Sequence, residues 1–230
     1  MLSTTASAQQ LRFDDVVRNL RNPDPKVRLS AVRLLRDADY PEAIGPMAAL
    51  IVDPVDQIQL ETIAAELSFY VGEEVKARKM VGFVVERRQP AVAAAAFDLG
   101  PHAITPRPIP PELVSSLLQA VDDDNGRVRL EAAYALGVIA RPPLTAENAE
   151  RLLKALDHYD PAVRVATARV LGRVAVPHAG AALLKAVNDS HADVRYAALR
   201  ALGAIKEAGA ADVLTEQLAY YRKGEGAADQ

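Results

Sequence analysis

Apolar residues return along this chain at helical spacing, and the helical pattern itself returns at a longer period. In "GRVRLEAAYALG" (Gly126 to Gly137), Val128, Ala132, Ala135 and Leu136 fall on one face of a helix. The same arrangement recurs in "DPAVRVATARVLG" (Asp160 to Gly172) and "ADVRYAALRALG" (Ala192 to Gly203). No sustained alternation of apolar and polar residues appears, so the pattern predicts helices and no strands.

The repeat is measured from one apolar anchor in each copy. Val128, Val163 and Val194 are well-kept anchors, and "NPDPKVRLSAVRLL" supplies Val27 upstream. "DQIQLETIAAEL" and "QPAVAAAAFDLG" read as two worn copies anchored at Ile58 and Ala91. Six copies result, spaced by 31, 33, 37, 35 and 31 residues. The longest spacing holds the proline-rich "GPHAITPRPIPP" (Gly100 to Pro111), which reads as an extended insertion.

Seven residues before five of the anchors stands Leu20, Ile51, Val121, Leu156 or Val187, each closing an earlier amphipathic segment. Each copy is therefore a helix pair. The pattern predicts helices at 13–21, 26–37, 42–52, 57–70, 74–88, 91–99, 112–121, 127–140, 146–156, 162–174, 178–187, 193–206 and 210–221. One pair cannot bury its own apolar face, so neighbours must stack. Glycine follows the anchor by nine residues at Gly100, Gly137, Gly172 and Gly203, where a side chain would obstruct a neighbouring helix. The domain reading is one repeat array over 13–221, with a flexible 1–12 and a flexible 222–230.

The stretches "DDDNGRVRLEAAYALGVIA", "DHYDPAVRVATARVLGRVA" and "NDSHADVRYAALRALGAIK" resemble the HEAT repeat, in the variant found in phycobilisome lyase subunits and many bacterial proteins. The resemblance is strongest in the C-terminal half. It implies an all-α, right-handed α-α superhelix of six helix pairs and one terminal helix, whose second helices line a concave surface. It implies no single function, because this fold hosts many unrelated roles.

Two sets of residues stand out on that frame. The first is a polar column at the turns: Arg28, Arg129, Arg164 and Arg195 directly follow their anchors. Six residues before them lie Asn22, Asp123, His158 and Asp189, and in copy two Gln59 and Asp53 hold the same two places. HEAT-like proteins use such pairs as a ladder between repeats, since an arginine fork can satisfy turn carbonyls and a neighbouring carboxylate together. The second set lies on the second helices, two and six residues after the anchors. There Tyr134, Arg169, Tyr196 and Arg200 are the candidate partner-binding residues, with Glu131 and Arg33 beside them. Tyrosine and arginine are residues that interfaces favour.

Composition narrows the chemistry. The 230 residues carry a formal charge of −3, no Trp and no Cys. A slightly acidic chain without Trp is poor material for a nucleic-acid surface. The alkylpurine DNA glycosylases, which share the fold, need a basic groove that this chain lacks. The absence of cysteine removes disulfides, thiolate metal sites and a cysteine nucleophile. His102, His158, His178 and His191 are neither followed by Glu nor spaced as helical ligand pairs, unlike the His-Glu pairs of the HEAT-like deoxyhypusine hydroxylases. No apolar run is long enough to cross a bilayer, which predicts a soluble chain.

The expected function is a non-catalytic scaffold that binds a protein or peptide on its concave face, with no cofactor, no nucleic acid and no membrane. The alternative is an enzyme or enzyme subunit resembling the bilin lyases. The opening "MLSTTASAQQ" reads as a flexible terminus, which places the protein in the cytoplasm by default. The other reading makes "ASAQQ" the remnant of an export signal and the protein periplasmic or exported.

Overall fold

The computed structural model describes residues 13–71, 92–98, 107–140, 144–174, 176, 178–207, 209–212, 215 and 219. Among them the regular structure is helical, apart from one isolated bridge residue at Val71. The chain divides into two compact units, Met1–Ala140 and Arg141–Gln230. The range 13–221 thus spans two units. The helix expected at 74–88, most of the insertion, and residues 1–12 and 222–230 lie outside the described residues.

The first unit begins with α1 (residues 13–19) and α2 (Pro25–Asp37). Asp24 caps α2 by accepting the Lys26 N–H, and Pro25 starts it where a missing N–H costs nothing. The next first helix is not continuous. A 3₁₀ turn at Pro41–Ala43 leads into α3 (Ile44–Met47), which tightens again to 3₁₀ at Ala48–Val52. Pro46 explains the interruption, because it brings no N–H to the α-helical ladder. α4 (Asp56–Tyr70) follows, then α5 (Val92–Asp98), α6 (Pro111–Ala120) and α7 (Gly126–Ile139).

The order of stacking in this unit differs from the order of the copies. α2 packs on α4, α4 packs on α7, and α6 packs on the Ala48–Val52 turn. Copies two and four are therefore direct neighbours. The described part of copy three, α5, packs instead on α7. In the sequence, Val92 stands where the other copies place Arg or Gln, so this copy lacks the donor of the ladder. The excursion is tied at its ends. Arg107 Nε donates to the Phe69 carbonyl at 2.8 Å, and Tyr70 Oη donates to the Pro108 carbonyl at 2.9 Å. Leu35, Ile51, Ile58, Leu117 and Leu136 are fully buried in this core. Each contributes about 1.5–3 kcal/mol of burial.

The second unit holds α8 (Ala146–Lys154) with a 3₁₀ extension at Ala155–Asp157, then α9 (Pro161–Leu171), α10 (Ala179–Ala186) and α11 (Ala192–Ile205). α9 packs on α11, and α10 packs on α11. At the end of α9, a Cβ added to Gly172 would meet the Ala201 Cα at 3.0 Å, so glycine sets the approach of these helices. A Cβ on Gly203, at the same place in the next copy, would meet nothing within 4 Å. Among the described residues no helix is long and apolar enough to cross a membrane.

Candidate functional site

Each described turn between paired helices is built the same way. The residue six before the ladder position accepts a backbone N–H two residues on: Asn22 from Asp24, Asp53 from Val55, Asp123 from Asn125, His158 from Asp160 and Asp189 from His191, at 2.8–3.0 Å. A side-chain acceptor on a short stem is what the turn requires, and Asn, Asp and the His Nδ1 all supply it.

The arginines then tie the turns together. Arg28 Nη1 donates to the Asn22 and Pro23 carbonyls of its own turn, at 2.9 and 3.1 Å. Its Nε and Nη2 grip the Asp53 carboxylate of the next copy, at 2.8 and 2.9 Å. Arg164 repeats this in the second unit, with Nη1 on the His158 and Tyr159 carbonyls and a bidentate grip on Asp189 at 2.8 Å. Arg129 reaches the Asp123 and Asp124 carbonyls, and Arg195 those of Asp189 and Ser190. The Arg164 hydrogen bond holds the Asp189 carboxyl below its ordinary range, against desolvation and with help from the His191 N–H. Copy two departs from the scheme: Gln59 Nε2 donates to Asp123 Oδ2 at 2.7 Å, where Arg28 and Arg164 use a guanidinium.

With that periodic geometry in view, the sequence comparisons name the repeat. Residues 149–223 match the family of HEAT repeats, and residues 113–141 match the HEAT repeat. The chain contains HEAT repeats over these residues. One engineered protein of known crystal structure is 21% identical, covering 90% of this chain and 89% of its own, with a TM-score of 0.51. A second engineered protein is also 21% identical with a TM-score of 0.51, covering 89% of this chain, which spans 50% of that protein. A designed armadillo repeat protein in complex with the peptide (KR)4 is 18% identical, covering 82% of this chain and 80% of its own, with a TM-score of 0.46. At such identities the likeness is one of fold. No curated protein matches the chain.

The partner-binding candidates are divided between the two units. Tyr134, in the first unit, is only 8% exposed, and its ring packs on Phe97 of α5 at 5.5 Å between centroids. Glu131 is buried beside it and accepts the Ala93 N–H of α5 at 2.9 Å. Both were expected on an open surface. Helix α5 covers them instead, because the alanine-rich segment lies on α7. Arg33 pairs with Glu61 at 2.6 Å, and Arg36 takes the other Glu61 oxygen at 2.8 Å. Burial pushes the Glu61 carboxyl up, but these two guanidinium groups hold it below its usual range.

The second unit presents its candidates differently. Tyr196 on α11 is 63% exposed, and the Arg200 guanidinium lies 5.8 Å from its ring centroid. Arg169 sits half-buried on α9, the helix that packs against α11. Among the described residues no three His, Asp or Glu side chains converge into a metal-binding cluster. His102 lies outside the described residues.

One group went unmarked in the sequence. Glu66 in α4 is fully buried, and neither of its oxygens has a hydrogen-bond partner among the described residues. Desolvation pushes its carboxyl well above the ordinary glutamate range. The signal was present, since Glu66 stands eight residues after the Ile58 anchor, a place that is Leu in copies four to six.

Proposed function

We propose that this chain is a non-catalytic scaffold, and that it holds a protein or peptide partner on the exposed face of α11. The observation that carries this reading is the Tyr196–Arg200 pair. A large aromatic ring left 63% exposed beside a guanidinium offers amphipathic area and planar donors together. Such a surface suits a segment with a carboxylate beside apolar groups. Arg169 on the adjacent helix extends the same chemistry.

The test compares the full chain with a Tyr196→Ala, Arg200→Ala double variant. Partners captured by the wild-type chain are purified and titrated against both proteins by calorimetry. The double variant is expected to bind at least ~10-fold more weakly, as removal of interface anchors does, with its melting temperature unchanged. Full-strength binding by the folded variant rules this face out. The non-catalytic part is checked separately. The partner's intact mass is expected to stay the same after incubation with the chain, and a mass change identifies an enzyme.

A further inference from the structure

Second helices that pack on one another within a unit do so in one register. The stripe two, six and nine residues after the anchor of one helix meets the stripe three and seven residues after the anchor of the next. Arg33 and Arg36 of α2 both pair with Glu61 of α4, at 2.6 and 2.8 Å. The Ala93 N–H of α5 donates to Glu131 of α7 at 2.9 Å. A Cβ on Gly172 of α9 would lie 3.0 Å from the Ala201 Cα of α11. The residues three and seven after an anchor are one turn apart and share a helix face. Where that face receives a preceding helix it is closed: Ala65, Ala135 and Ala201 are all buried.

On α9 the leading stripe is Val165, Arg169 and Gly172, and all three are half-buried on the helix that packs against α11. On α11 the same stripe is Tyr196, Arg200 and Gly203, and all three are exposed. No described atom lies within 4 Å of a Cβ on Gly203, and no carboxylate among the described residues pairs with Arg200. The stripe therefore continues the stacking interface of its own unit and stands open. We infer that the partner held on α11 presents an α-helix, which docks as a further second helix and carries a carboxylate four residues before a small residue. The carboxylate takes Arg200 as Glu61 takes Arg33, and the small residue lies over Gly203 as Ala201 lies over Gly172. The chain itself holds this spacing twice, in Glu61 with Ala65 and in Glu131 with Ala135, each pair on a helix that docks in this register. An amphipathic helix read through anchors one turn apart is an ordinary mode of recognition. The inference rests on the reading that α11 is the binding face, and adds the form of what binds there.

The probe is a hydrocarbon-stapled peptide of the α4 sequence, Asp56–Tyr70, titrated into the isotope-labelled full chain and read from backbone amide shifts. Saturable shifts are expected along Tyr196 to Gly203. The Glu61→Gln peptide is expected to bind at least ~10-fold more weakly. In the full chain, Arg200→Glu is expected to lose the α4 peptide and to bind its Glu61→Arg form, which identifies the ion pair. Gly203→Leu leaves Tyr196 and Arg200 in place, meets no atom within 4 Å in the folded chain, and is expected to weaken binding at least ~10-fold. No saturable shift on α11, equal binding of the Glu61→Gln peptide, or full binding by Gly203→Leu overturns the assignment. Partners captured by the wild-type chain separate it from the wider reading. Binding lost in the Tyr196→Ala, Arg200→Ala variant but kept in Gly203→Leu retains the face and rejects the helix, whereas full binding by both rejects the face itself.

Discussion

The glycine that recurs nine residues after the anchor permits a test in which two identical substitutions have opposite signs. Gly172→Ala and Gly203→Ala occupy the same position in successive copies. At Gly172 the new methyl would lie 3.0 Å from the Ala201 Cα and 3.1 Å from its Cβ. Carbon atoms in good contact sit about 3.5–4.0 Å apart, so α11 must retreat by roughly half an ångström or more. Forcing a methyl into a packed site costs about 1–3 kcal/mol. Replacing glycine by alanine at a helical position returns about 0.5–1 kcal/mol. The net expectation for Gly172→Ala is a loss of about 1–2 kcal/mol. At Gly203 no atom lies within 4 Å of the added methyl, so only the gain remains. That variant is expected to be about 0.5–1 kcal/mol more stable than the wild type. Urea unfolding followed by far-UV circular dichroism measures both. Shifts of equal sign in the two variants would refute the claim that close approach, and not sequence periodicity, sets the glycine at Gly172.

The other predictions concern charge and capping. Arg164→Ala is expected to lose about 1.5–3 kcal/mol with its charge-assisted bonds, measured by the same unfolding assay. The depressed Asp189 carboxyl stabilises the fold above its unfolded pKa, and that contribution is lost as pH falls through its lower folded value; Asp189→Asn is expected to flatten the acid side of the stability profile. Glu66 has the opposite sign: its raised folded pKa costs stability as pH rises from the unfolded value through the folded one. Glu66→Gln is expected to gain on the wild type steadily over that interval, and parallel profiles would contradict an isolated buried carboxyl. Lys206 caps α11 in the left-handed region at φ 53°, so Lys206→Gly is expected to stabilise by about 1 kcal/mol in thermal unfolding.

The helix pairs were legible because their signals are local. Anchor spacing, proline at helix starts and short polar acceptors at the turns all act within one copy, and helix ends followed to within a residue or two at α2, α4, α6 and α11. The arginine column was legible because a side chain needed once per unit recurs at one register. Copy three misled because alanine runs satisfy a helical pattern without saying what the helix packs against. What separates it is the missing polar residue at Val92, a signal visible only once the ladder's geometry is known. Tyr134 misled for a related reason: Phe97, which covers it, belongs to that same copy and reaches it only by tertiary contact. Tyr196, one helical turn earlier in its own copy, stays 63% exposed.

The clasp formed by Arg107 on Phe69 and Tyr70 on Pro108 bears on how such a gene can change length. It fastens the chain at the end of α4 and just before α6, independently of the residues between them. Each doubling of a flexible loop costs only about 0.6 kcal/mol in closure entropy. Changes of length between Val71 and Arg107 are therefore cheap for the stack so long as α5 is kept, because its Phe97 and Ala93 cover Tyr134 and Glu131 of α7. The stacked copies on either side tolerate no such edit, because one residue gained or lost within a copy would turn every buried side chain after it by a hundred degrees or so about its helix.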